Sequence, residues 1–182
     1  MSSASIEQQS WEFALRLYAE PGVAESCLRL QDEAGVDVML LLAVAFAGHR
    51  GIHLSPSDIG ELAELGRPWR EQIVLPLRAL RVALKSGPQP APNAVTEVLR
   101  NQIKASELQA ERLQNDLLAA WLLHKAGASR AISQEERHAA LSHVVALVCN
   151  GHPTGDIVPA IDAIAEAAQR IAASDPSGPQ SN

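Results

Sequence analysis

VMLLLAVAFAG, residues 38–48, is the stretch on which the fold turns. Its first ten residues, Val38 to Ala47, are all apolar, so a helix built from them has no face to offer water and belongs at the centre of a bundle. Asp37 stands directly before it, where a carboxylate accepts the free amides of a first turn. The run is too short to cross a bilayer, which takes about 20 residues.

Working outward, the composition agrees with helices on every side. The chain has 182 residues and a mass of 19.4 kDa, which suits one domain, or a domain plus an appendage. Alanine (30) and leucine (23) dominate, while aromatics make up only 3%, so strand formers are scarce and an all-β fold is excluded in practice. Upstream, Trp11, Leu15 and Tyr18 recur at helical spacing, predicting a helix over Ile6 to Ala19 that Pro21-Gly22 stops. A second helix is expected over Val23 to Ala34, with Cys27, Leu30 and Ala34 inward and Gly35 as its stop. Downstream, Ser55-Pro56 opens a short helix to Leu65. A further helix follows from Pro68 to Lys85, with Pro76 expected to kink it.

Residues 86–93, SGPQPAPN, read as a proline-rich linker. Beyond it lies a long helix, about 94–125, on the order of 45 Å in length. Leu99, Ile103, Ser106, Ala110, Leu113, Leu117 and Ala120 mark a heptad-like seam on it, a surface for its own bundle or for a second copy in a homo-oligomer. Ser133 and Glu136 form a capping-box pattern opening a helix to about Cys149. Asn150 to Gly155 reads as a turn, and a last Ala-rich helix spans Asp156 to Ala173. The expected organisation is a flexible stretch over 1–10, one helical domain over 11–173 and a disordered tail over 174–182. Within the domain, 11–85 forms an N-terminal subdomain and 94–173 the long helix with its successors.

The formal charge of −6 is unevenly placed. Residues 1–66 carry 3 basic and 10 acidic groups, residues 67–85 carry 5 and 1, and residues 86–182 carry 7 and 10. On a helical wheel Arg67, Arg70, Arg78, Arg81 and Lys85 fall in one sector beside Trp69, Ile73, Leu77, Leu80 and Leu84. Guanidinium forks suit carboxylates and phosphates. The stripe therefore reads either as a docking surface for an acidic protein surface or anionic ligand, or as the internal partner of the acidic first 66 residues. Asp32 and Glu33, near a helix C-terminus, would gain most from such pairing. A net acidic chain is a poor general nucleic-acid binder.

Chemistry-bearing patterns are weak. His49 and His53 are four apart, but Gly51 separates them and no third ligand has close spacing, so exposed histidines are expected rather than a metal site. His138 and His143 do not share a helical face. Cys149 ends an apolar run near His152 and, like Cys27, reads as a buried structural thiol. The phosphate-loop, dinucleotide, zinc-protease and serine-hydrolase motifs are missing. One pocket is conceivable at a helix junction, from Asp37, His49, Trp69, Arg70 and Glu71. No cofactor is indicated.

WEFALRLYAEPGVAESCLRLQDEAGVDVMLLL, residues 11–42, resembles a bacterial family of conserved hypothetical proteins labelled domain of unknown function 2390. PWREQIVLPLRALRVALK, residues 68–85, and ELQAERLQ, residues 107–114, are similar to its later blocks. The resemblance covers roughly 11–118 and implies a small helical bacterial protein. It brings no activity with it, and residues after about 125 read as an extension.

The expectation is an all-α bundle of seven or eight helices in a cytoplasmic protein, with no transmembrane segment. A non-enzymatic interaction module, an adaptor or regulator using the basic stripe, is the favoured function. An anionic-metabolite site at Asp37, His49, Trp69 and Arg70 is the alternative.

Overall fold

The computed structural model describes residues 4–126, 130–149 and 157–174. Helices are the only regular secondary structure among them. α1 (Ile6–Tyr18), α2 (Val23–Ala34) and α3 (Val38–His49) are followed by α4 (Pro56–Trp69) and α5 (Leu75–Ser86). α6 (Ala94–Lys125), α7 (Gln134–Ala146) and α8 (Val158–Ser174) complete the described chain. A π-helical turn, Arg70–Val74, joins α4 to α5 without a break, so the count is seven continuous helices or eight α-helical segments.

α3 is the hub. Met39 through Gly48 are all buried, and α1, α4, α6, α7 and α8 pack around it. Its entrance is set by Asp37, whose carboxylate accepts the amides of Met39 (3.0 Å) and Leu40 (3.3 Å). The other caps follow the same chemistry. Gly22 and Gly35 bracket α2 with φ of 81° and 68°, a left-handed conformation that costs glycine little. Ser55 with Asp58 and Ser133 with Glu136 close reciprocal capping boxes on α4 and α7. α1 starts at Ile6, inside the stretch assigned to the N-terminal tail. α7 ends at Ala146, with residues 147–149 in a turn.

Two features depart from the sequence reading. The expected boundary between Leu65 and Pro68 is helical, and the irregularity falls instead at residues 70–74, where the Leu75 amide bonds to the Arg70 carbonyl five residues back. Pro76 has no amide to donate, and a proline ring crowds the carbonyl four residues before it; a wider turn there relieves both. Gly66, inside α4, lets that helix lie close on α6: a Cβ there would meet Leu118 Cδ2 at 3.3 Å and Gln114 Nε2 at 3.4 Å.

The second departure is the face that α6 buries. It comprises Glu107, Ala110, Gln114, Asn115, Leu118, Ala119 and Leu122, whereas Leu99, Leu113 and Leu117 of the expected seam are exposed. The polar members are held by partners: Asn115 accepts from Ser10 Oγ (2.7 Å) and donates to the Glu7 carbonyl (3.2 Å). Gln114 donates to Asp37 Oδ2 (2.7 Å).

Only the C-terminal half of α6 reaches the core. α5 buries no residue, and its main partner is the N-terminal half of α6, so the two form a hairpin extending from the bundle. α7 and α8 belong to the same core as the rest, α8 lying against α2, α1 and α3. The expected turn at 150–155, the start of the last helix at Asp156 and the tail from 175 lie outside the described residues. No helix of the described residues is long and apolar enough to cross a membrane.

Candidate functional site

A groove of about 520 Å³ runs between α1, α2, the start of α3, α5 and the middle of α6. α1 supplies Trp11, Leu15 and Tyr18 to its walls, α2 supplies Leu28, and α6 supplies Leu108. Leu15, Leu28 and Leu108 remain 53, 49 and 52% exposed. Met39 and Leu42, near the start of α3, are buried beneath them. Leu108 lies off the seam expected on the long helix, and Leu15 stands with Trp11 and Tyr18 on the apolar face read for α1; their convergence on one groove comes from the packing of α1 against α6.

One end of the groove is ionic. Glu107 accepts from Arg78 Nε (2.8 Å) and from the Nε and Nη2 of Arg81. Arg78 also donates to Glu111 (3.2 Å). Burial pushes the Glu107 carboxyl up, but the hydrogen bonds from Arg81 and Arg78 outweigh it and hold the group below the usual carboxylate range. The same bond from Glu107 raises Arg81. Burial raises Glu111 above its ordinary value, with Arg78 opposing. Burial likewise lifts the Tyr18 phenol.

The basic stripe is thus divided. Arg78 and Arg81 pair with α6, not with the acidic first 66 residues. Arg70 donates to the Gly35 carbonyl (2.8 Å) and lies 3.8 Å from Asp37. Arg67 bonds Glu64 at the surface, and Lys85 is exposed. Glu33 pairs with Arg29 on its own helix (3.4 Å), so the stripe does not compensate it. The π turn explains the division: it inserts one residue into the helical register, so the two halves of the stripe no longer share one sector.

The five candidate pocket residues do not assemble. Asp37 and Arg70 meet at the start of α3, where burial raises the Asp37 carboxyl against the opposing charge of Arg70. His49 lies at the far end of the same helix, stacked on Phe13 with ring centroids 4.9 Å apart. It is therefore not the exposed loop histidine expected, whereas His53 is exposed. Trp69 donates its indole N–H to the Ala110 carbonyl (3.0 Å), fastening α4 to α6. Glu71 is exposed.

The other titratable candidates have local partners. Lys125 donates to Asp58 (2.7 Å), and its hydrogen bond together with those from Ser55 lowers Asp58 to about 2. His138 meets Asp162 at 2.9 Å. Burial pushes the Cys27 thiol up to about 12, the state of an inert core thiol. Cys149 is half-buried, and His152 lies outside the described residues. Among the described residues no three His, Cys, Asp or Glu side chains gather as a metal site.

Sequence reasoning passed over Glu107, Glu111 and Gln114. The signal was there: polar side chains at spacings of four and three mark one face of α6. That pattern ordinarily denotes a solvated face, and only the facing arginines and Asp37 reverse it.

A family model described as Protein of unknown function (DUF2390) matches residues 9–118. The chain belongs to this family. The DUF2390 match takes in most of α1, all of α2 to α5 and most of α6, hence every wall of the groove and both halves of the ion cluster. α7 and α8 lie beyond it. Neither a curated protein nor a solved structure matched the chain.

Proposed function

We propose that this is a non-enzymatic cytoplasmic interaction module, an adaptor or regulator, whose groove receives an amphipathic helix of a partner protein. The carrying observation is the convergence of half-exposed Leu15, Leu28 and Leu108 with Tyr18 on a single groove. Large apolar and aromatic side chains around a concave surface, bounded by polar groups, are what a helix-in-groove contact uses. The ionic end supports the same reading. Glu107 is saturated by two arginines, so the remaining basic character at that end comes from Lys104 and the unused donors of Arg78 and Arg81. The partner helix accordingly carries leucine-like anchors on one face and an acidic residue beside them. The basic helix contributes to docking through this end alone, since Arg70 is engaged at the start of α3.

Charge reversal of Arg78 and Arg81 would set like charge against Glu107 and test folding rather than docking. The informative variant is Leu28→Asp with Leu108→Asp, compared with Leu123→Asp, which is equally exposed but outside the groove. A partner retained from native extract by the wild type and by Leu123→Asp, and lost by the folded double variant, is the expected result. Retention by all three would remove the groove from the proposal.

A further inference from the structure

A second cavity, of about 280 Å³, lies between the end of α3, the start of α4, α7 and Ala168 of α8. Its lining is mostly aliphatic, Ile52 and Ile59 among them, with His53, Ser55, Glu136, Arg137 and His143 as polar members. Arg137 is the unusual one. Its Nη1 is buried and has no hydrogen-bond partner among the described residues. It lies so close over α3 that a Cβ on Gly48 would meet it at 3.3 Å, so the glycine leaves room for the guanidinium.

The neighbouring carboxylate, Glu136, gives Arg137 its charge but no hydrogen bond to the buried Nη1. Glu136 is held by Arg130 through two bonds (2.6 and 3.2 Å) and by the Ser133 amide (2.9 Å). Burial lowers the Arg137 pKa, and only the charge of Glu136 opposes it. A half-buried guanidinium whose nearest described carboxylate is committed to Arg130 and Ser133 is costly, and its planar fork suits a carboxylate.

We infer that this cavity binds a small monocarboxylate with an apolar body, its carboxylate on the Arg137 guanidinium and its hydrocarbon against Ile52 and Ile59. A phosphate fits the charge but not the aliphatic walls. The volume equals about nine waters at roughly 30 Å³ each, room for a short-chain acid. This site is separate from the groove and does not depend on a protein partner.

The test is thermal unfolding of the full chain with millimolar hexanoate, hexanol or inorganic phosphate. Hexanoate is expected to raise Tm by about 3 °C, with hexanol and phosphate giving no comparable shift. Arg137→Gln should abolish the hexanoate shift. Ala140→Leu, which fills the cavity and keeps the arginine, should abolish it as well and guards against a folding defect in the first variant. No hexanoate shift in the wild type would overturn the inference. An equal shift with hexanol, or a hexanoate shift that survives both substitutions, would do the same.

Discussion

Glu107 is 4% exposed in the middle of the longest helix, facing two arginines. Taking away one member of a buried charge cluster strands the others, which typically costs 3–5 kcal/mol. Arg78 and Arg81 each keep roughly a fifth to a quarter of their side-chain exposure, so solvent recovers part of that. Glu107→Ala is expected to cost about 2–4 kcal/mol in urea unfolding at pH 7. The pH dependence follows from the direction of the shift. A carboxyl held below its unfolded value contributes stability above that value, about pH 4.3, and loses it as pH falls through the folded pKa. Asp37 and Glu111 act in the opposite sense: their raised values favour the protonated folded form, so acid relieves them. Stability should therefore fall less steeply from pH 5 to pH 3 in Glu107→Gln than in the wild type, and more steeply in Asp37→Asn. Parallel curves for all three would contradict these assignments. The N-cap role of Asp37 was legible from its place before an apolar run. The role of Glu107 was not, since nothing in its own helix names the facing arginines.

At the scale of elements, the π turn sets the register of α5. It acts as one inserted residue, and a helix rotates by about 100° per residue. Inserting an alanine after Val74, beyond the turn, should rotate the rest of α5 by that step and swing Arg78 and Arg81 away from Glu107. The expected loss matches that of Glu107→Ala, and combining the two should add little, because they break the same contact. Additive losses in the double variant would show the register to be set elsewhere. Helix ends were readable because they are written locally: Ser55, Ser133 and Gly35 each sit where their side chain or backbone freedom is needed. The π turn was less readable, because Pro76 announces a disturbance without fixing its type. The buried face of α6 escaped because apolar periodicity points to Leu99, Leu113 and Leu117, while Gln114 and Asn115 enter the core on partners that other helices supply.

For the whole molecule, the core outlasts the family match. Residues 9–118 belong to the DUF2390 family, yet Leu141, Val145, Ile161 and Ile164 complete the packing around α3 and α2. A chain ended at Ala126 would leave one side of α3 open, and a helix apolar on every face cannot tolerate that. Such a chain is expected to lose its cooperative thermal transition, read by circular dichroism; a wild-type transition would make α7 and α8 dispensable. The fold class was visible in composition and in the single run at residues 38–47. The groove was not, because its walls come from residues 93 apart in sequence, Leu15 on α1 and Leu108 on α6. The central claim is that this groove holds a partner's helix. Its most direct test is photo-crosslinking in native extract from a probe placed at Leu28, at Leu108 or at Leu123. The account predicts one common crosslinked protein from Leu28 and Leu108 and none from Leu123. Equal crosslinking from all three positions, or none from the groove, would contradict it.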